Sequence, residues 1–243
     1  MGSSYIKELQ LLDKTFATVV DLDINALCSA INLASALPLY VIGSGGSLSI
    51  AHLVAYIHQR FTSQLAKAVT PLEAIDLNFS KKCCIWLISA GGKNVDINDV
   101  LKDIVLKEPE HLLVTCATTK SPLAEYARNY NYTDVFDFDL PTGRDGFLAT
   151  NSLIAFATLF VRAYQWIFLH DQSTPDNINS LVNLKGDVVD LLSYLRELCV
   201  PLWEKEHLLV LYGPATLPAA FDLESKFSEA ALGSVLLADY RNF

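Results

Sequence analysis

The chain has 243 residues, 51% apolar and 19% charged, with 11 Gly and 9 Pro, which excludes a disordered, collagen-like or low-complexity polypeptide. A formal charge of -9, from 18 Lys+Arg against 27 Asp+Glu, repels polyphosphate backbones, and the longest cationic run is the pair Lys81 and Lys82, so no nucleic-acid partner is expected. Five cysteines (Cys28, Cys83, Cys84, Cys116 and Cys199) are odd in number and lack metal-like spacing. They read as reduced thiols of a cytoplasmic protein, with neither a disulfide framework nor a metal or cofactor expected. Charge or amide groups break every long apolar run before the roughly 20 residues that span a bilayer, so no membrane segment is expected either.

Residues 4–36 place Ile6, Leu9, Leu12, Phe16, Val19 and Val20, then Ile24, Leu27, Ile31 and Leu33, at helical spacing, which predicts one long or broken helix and a helical arm over 1–37. From Pro38 the pattern changes to a short apolar run ending at Gly43, followed by helical periodicity from Leu48 to Leu65. The same alternation of strand, loop and helix recurs. Residues 83–89 are followed by Gly91 and Gly92 and a helix over 95–107, residues 112–116 by a helix opening at Ser121 and Pro122, and residues 135–138 form a further strand. Strands alternating with helices predict an α/β fold, a doubly wound parallel sheet covered on both faces, over 38–170.

Residues 148–170 are apolar nearly all round and predict a largely buried helix at an interface. The polar stretch 171–176 marks a boundary, after which an amphipathic helix ends near Cys199. Residues 207–213 then repeat the apolar-run-plus-glycine pattern of 39–43, followed by a helix over 218–232 and a strand over 235–240. This reads as an internal duplication, so 171–243 is expected to hold a helical linker and a partial second copy. Two strands seldom support themselves as a sheet, so either the chain natively continues past Phe243 or a second chain completes it, and a homodimer is expected.

Two loops could carry chemistry. Residues 43–47 (Gly43, Ser44, Gly45, Gly46, Ser47) join a strand to a helix, where unpaired amides and the positive end of the helix dipole converge. The plain alternative is an ordinary turn with Ser47 as helix cap. Residues 89–94 repeat this placement, with Ser89 and Asn94 as hydrogen-bonding groups, Gly91 and Gly92 as close-approach positions and Lys93 as a charge; the plain alternative is a solvated Lys93 and a capping Asn94. Thr150, Asn151 and Ser152 open the apolar helix and suit capping, while Arg144 and Asp145 suit an ion pair or a substrate contact.

Taken in order, the 43–47 loop, the strand and loop 88–96, the step at Ser121, Pro122, Leu123 and Ala124, residues 147–152 and residues 221–229 resemble the SIS (sugar isomerase) family, over most of 38–243 and in a double-SIS arrangement. The resemblance implies a flavodoxin-like SIS fold with an incomplete second copy. It also implies a phosphosugar or other carbohydrate derivative as ligand, held by Gly43, Ser44, Gly45, Ser47, Ser89, Gly91, Gly92, Lys93, Asn94 and Thr150. Where the family's second loop reads Ser-x-Ser-Gly-x-Thr, this chain keeps Ser89 and Gly92 but has Gly91 and Asn94 in place of two hydroxyl donors. Glu229 falls at the family's catalytic glutamate and Lys226 three residues earlier on the same helix face, which implies sugar-phosphate isomerase or aminosugar-phosphate deaminase chemistry. The plain reading of Glu229 is a surface carboxylate paired with Lys226 or Lys205, and the altered second loop suits a non-catalytic, sugar-phosphate-sensing module.

Overall fold

The computed structural model describes residues 5–170, 173–175, 177–181, 188–202 and 204–242 and divides into two compact units, Met1–Gln172 and Ser173–Phe243. Part of the polar stretch 171–176 and the beginning of the helix that follows it lie outside the described residues.

The helical periodicity of 4–36 belongs to three helices, α1 (Tyr5–Leu9), α2 (Leu12–Val20) and α3 (Asn25–Ala34). The break before α3 falls at Asp23, whose carboxylate accepts from the Asn25 amide at 2.9 Å, a local bond that competes with continued helix. The chain then runs β1 (Leu39–Ile42), α4 (Gly46–Thr62), β2 (Ala66–Val69), α5 (Pro71–Asp76), β3 (Cys84–Ser89), α6 (Val95–Lys107), β4 (His111–Cys116), α7 (Pro122–Ala127), β5 (Thr133–Asp137) and α8 (Asn151–Leu169). The five strands pair in the order β2-β1-β3-β4-β5, parallel throughout. This is a doubly wound α/β sheet of flavodoxin-like strand order.

Side chains alternate across a strand, and β3 shows the consequence. Cys84, Trp86 and Ile88 enter the core formed with α3, α4 and α8, whereas Ile85 and Leu87 enter the opposite core formed with α5, α6 and α7. Both faces are covered, so β3 and β4 are buried along their whole length and their sequences are apolar apart from Ser89, His111 and Thr115. Trp86 packs edge-on against Phe160 of α8 with ring centroids 5.0 Å apart, and its indole N–H donates to Thr115 Oγ1 at 2.8 Å.

Among the described residues one helix, α8, is long and apolar enough to cross a membrane, which the run-length argument did not anticipate. Ala155, Phe156, Leu159, Phe160, Ala163 and Tyr164 of α8 are buried in the first core.

In the second unit, α9 (Ile178–Leu181) and α10 (Val188–Cys199) precede β6 (His207–Tyr212), α11 (Leu217–Glu229) and β7 (Ser234–Asp239). β6 and β7 pair in parallel, forming a two-stranded sheet. Leu209, Leu211 and Leu236 remain exposed, so one face of this sheet is apolar and open.

The first core contains a polar pair. His58 Nδ1 lies 2.7 Å from the Tyr164 hydroxyl and both residues are fully buried. Burial disfavours the imidazolium and pushes the His58 pKa down from 6.5 to about 4. The unfolded chain therefore takes up a proton that the folded chain refuses as pH falls below 6.5. Stability contributed by neutral His58 is full above that value and is lost as pH drops towards 4, by about 3 kcal/mol in all. Urea unfolding at pH 7.0 and pH 4.5 is expected to show this loss in the wild type and a smaller one in His58→Gln; equal losses in the two proteins would assign the acid sensitivity elsewhere.

Candidate functional site

In a parallel sheet, a crevice opens at the carboxyl ends of neighbouring strands whose helices leave towards opposite faces. β1 and β3 are such a pair. Helix α4 follows β1 into one core through Ile50, Ala51 and Val54, and α6 follows β3 into the other through Ile97, Val100 and Leu101. The loops 43–47 and 89–94 therefore diverge above the sheet and line one cavity of about 640 Å³, within the range that holds a small metabolite. The loops after β4 and β5 and the segment 143–152 close it, through Ala117, Thr118, Asp139, Leu140, Arg144, Asp145, Gly146, Ala149 and Ser152.

Glycine is required here by geometry. Gly45 caps α4 at φ 56°, ψ -134°, a conformation that side chains oppose. A Cβ on Gly46 would lie 2.4 Å from the Ala149 Cβ, so this glycine lets the first turn of α4 sit against the start of α8. With Gly45 as the N-cap residue, Ser47 lies inside the helix and is not its cap.

The polar groups of the wall divide into those already engaged and those left over. Ser89 Oγ accepts from the Gly92 amide at 3.2 Å, and Asn94 Oδ1 accepts from the Ile97 amide at 3.0 Å as the cap of α6. Thr118 Oγ1 donates to the Ala90 carbonyl at 3.2 Å, and Asp139 accepts from Thr119 N at 2.9 Å and from Thr119 Oγ1 at 2.7 Å. These bonds to Thr119 hold the Asp139 carboxyl below its ordinary pKa.

Asp145 is the most heavily engaged. Its carboxylate accepts from the amides of Thr150, Asn151 and Ser152 at 3.0 to 3.1 Å and from the Ser152 hydroxyl at 2.5 Å. It thus caps α8 from five residues before Thr150, and no ion pair with Arg144 occurs among the described residues. By contrast, the hydroxyls of Ser44 and Ser47 find no hydrogen-bond partner, and Lys93 and Arg144 find no carboxylate partner, among the described residues. Four unengaged donors, two of them cationic, thus face the cavity together with the positive end of the 17-residue helix α4.

Of the residues singled out in the sequence, the fold brings Ser44, Ser47, Ser89, Gly91, Lys93 and Asn94 to this one cavity. Gly43, Gly45 and Gly92 shape the loops from behind, and Thr150 turns its hydroxyl away to Glu8 Oε2 at 3.1 Å and Asp145 Oδ1 at 3.2 Å. Lys226 and Glu229 lie on α11 in the second unit, where Lys226 pairs with Asp222 and Glu229 accepts from the Ser225 hydroxyl at 2.6 Å. Among the described residues neither pairing expected for Glu229, with Lys226 or Lys205, is formed. Thr118, Asp139 and the role of Asp145 went unread, although the ends of β4 and β5 in a parallel sheet point to the first two.

Replacing Asp145 by Asn removes the negative charge from the start of α8 and weakens several charge-assisted bonds. Asp145→Asn is expected to lower stability by about 1–2 kcal/mol, or roughly 2–8 °C in Tm by calorimetry. An unchanged Tm would refute the capping role.

No family model matches the chain, and no curated protein matches it. Solved structures do. The C-terminal domain of glucosamine-fructose-6-phosphate aminotransferase from Francisella tularensis superposes with a TM-score of 0.70 at 14% identity, over 96% of this chain and 69% of that one. Tagatose-6-phosphate ketose/aldose isomerase from Escherichia coli gives 0.69 at 16% identity, over 100% and 71%. Glucosamine-6-phosphate deaminase from Thermotoga maritima gives 0.68 at 18% identity, over 96% and 69%. At these identities the likeness establishes architecture, and the fold is that of the SIS (sugar isomerase) domains.

Proposed function

We propose that the chain binds a phosphorylated sugar or sugar derivative in the cavity at the ends of β1 and β3. The observation that carries this reading is the set of unengaged donors there, namely Ser44, Ser47, Lys93 and Arg144 around the first turn of α4. A phosphomonoester dianion matches it chemically, since it offers several acceptor oxygens to amides, hydroxyls and cations at once. The likeness to tagatose-6-phosphate ketose/aldose isomerase and glucosamine-6-phosphate deaminase favours the same ligand class. Gly91 and Asn94 supply no hydroxyl, so charge from Lys93 takes over part of what hydroxyls do in the related loop. The protein is read as cytoplasmic and homodimeric, with no nucleic-acid or membrane partner.

The catalytic form of this reading is aldose–ketose isomerisation or aminosugar-phosphate deamination. In the isomerisation a base removes the proton from the carbon next to the carbonyl, an enediol forms, and the proton returns to the neighbouring carbon. Glu229 would be the base, with Lys226 stabilising developing negative charge. A non-catalytic sensor is the second reading, favoured by Asn94, whose side chain is committed to capping α6 where a ligand-binding hydroxyl would be needed.

Calorimetric titration with a panel of hexose 6-phosphates and their unphosphorylated parents tests the ligand class. Binding is expected only for the phosphates, weakened about three- to tenfold by Ser47→Ala and about tenfold by Lys93→Met. Equal affinity for a sugar and its phosphate, or no change in either variant, would remove the loops from the site. Turnover abolished by Glu229→Gln with binding retained would support the enzyme; binding without turnover in the wild type would support the sensor.

A further inference from the structure

Helix α1 is docked by a charge. Glu8 is its one buried residue, 3% exposed, while Tyr5, Ile6 and Leu9 are exposed to solvent, so apolar burial does little to hold this turn in place. A carboxylate taken out of water must be matched by donors. Glu8 Oε1 accepts from the Gly146 amide at 2.6 Å and Oε2 from the Thr150 hydroxyl at 3.1 Å, while the Glu8 carbonyl accepts from Asn151 Nδ2 at 3.1 Å. Thr15 of α2 adds a bond to Asn151 Oδ1 at 2.6 Å. The bonds made by Glu8 reach residues 138 to 143 positions later in the chain. The segment they reach is cavity wall: Arg144, Asp145, Gly146 and Ser152 line the cavity, and Glu8 does not.

We propose that Glu8 is a positioning residue of the cavity, fixing the loop 143–146, and with it Arg144, through the Gly146 amide and the Thr150 hydroxyl. The ligand half of the proposal rests on the reading of the cavity as a phosphosugar site; the loop half does not. By linkage, a ligand that orders this loop tightens the docking of α1 to the same degree that docked α1 tightens the ligand.

Hydrogen–deuterium exchange on the full chain tests the positioning directly. Glu8→Ala is expected to speed exchange over residues 143–150 about tenfold while leaving 43–47 and 89–94 as in the wild type. Glu8→Gln keeps an acceptor oxygen for the Gly146 amide and is expected to bring exchange back to within about threefold of wild type. Ile31→Val, a core substitution on α3 that lowers stability without touching the loop, serves as the control and should leave 143–150 unchanged. No acceleration in Glu8→Ala, acceleration spread evenly over the chain, or acceleration of equal size in Ile31→Val overturns the proposal. In a parallel titration with glucosamine 6-phosphate, Glu8→Ala is expected to bind at least fivefold more weakly than the wild type, with Glu8→Gln intermediate. A wild-type chain that binds no sugar phosphate removes the ligand reading and leaves the exchange result to decide the positioning.

Discussion

The architecture turns on the reversal of winding between β1 and β3. Because these neighbours send their helices to opposite faces, no connection crosses the space above their carboxyl ends, and the first turn of α4 and the loop before α6 are left facing a common opening. Everything at the site follows from this. The sheet is rigid because both faces are filled, with β3 and β4 buried throughout, and a rigid sheet fixes where the loops start. The loops themselves are short, and glycine at 45 and 46 lets α4 begin immediately and lie against the start of α8.

Polar bookkeeping then separates scaffold from site. Ser89, Asn94, Thr118, Asp139, Asp145 and Ser152 all line the cavity, yet each is tied to a neighbouring backbone or side chain and stabilises the loops that carry it. The carboxylates, which would otherwise repel an anion, have their charge spread over amide and hydroxyl donors. What remains unengaged among the described residues is the donor set of Ser44, Ser47, Lys93 and Arg144, and it has the sign and hydrogen-bonding character of an anion receptor. Under the proposed function, the charge of Lys93 takes over part of what Gly91 and Asn94 withhold in hydroxyls. Arg144 depends in turn on a loop anchored from behind by Glu8, so the helical arm belongs to the same mechanical unit as the site.

The sequence announces the central strands clearly, since a strand buried on both faces is apolar along nearly its whole length, as residues 84–88 are. It announces the helix over 95–107 through its periodicity and the cap at Asn94. It is silent on β2, a four-residue edge strand with Lys67 in its middle and only one fully buried position. The helix that follows, α5, is not among the predicted elements either, although Thr70, Pro71 and Glu73 form a capping box that the structure closes with bonds of 2.8 and 3.2 Å. The convergence of the two glycine loops was legible from topology alone. The capping of α8 by Asp145 was not, because it acts from outside the usual cap position, and Glu8 could not be read at all, since its partners are 138 or more residues away. Local rules reach as far as hydrogen bonds within a turn; long-range polar anchors appear only once the chain is folded.

The central claim is that the unengaged donors above β1 and β3 form a receptor for a sugar phosphate. A crystal structure determined after soaking with millimolar glucosamine 6-phosphate addresses it most directly. Phosphate density is predicted within hydrogen-bond distance of the Ser47 hydroxyl and the Lys93 ammonium, over the amino end of α4. A cavity that stays empty while the sugar phosphate occupies another surface, or remains in solution, would contradict the claim.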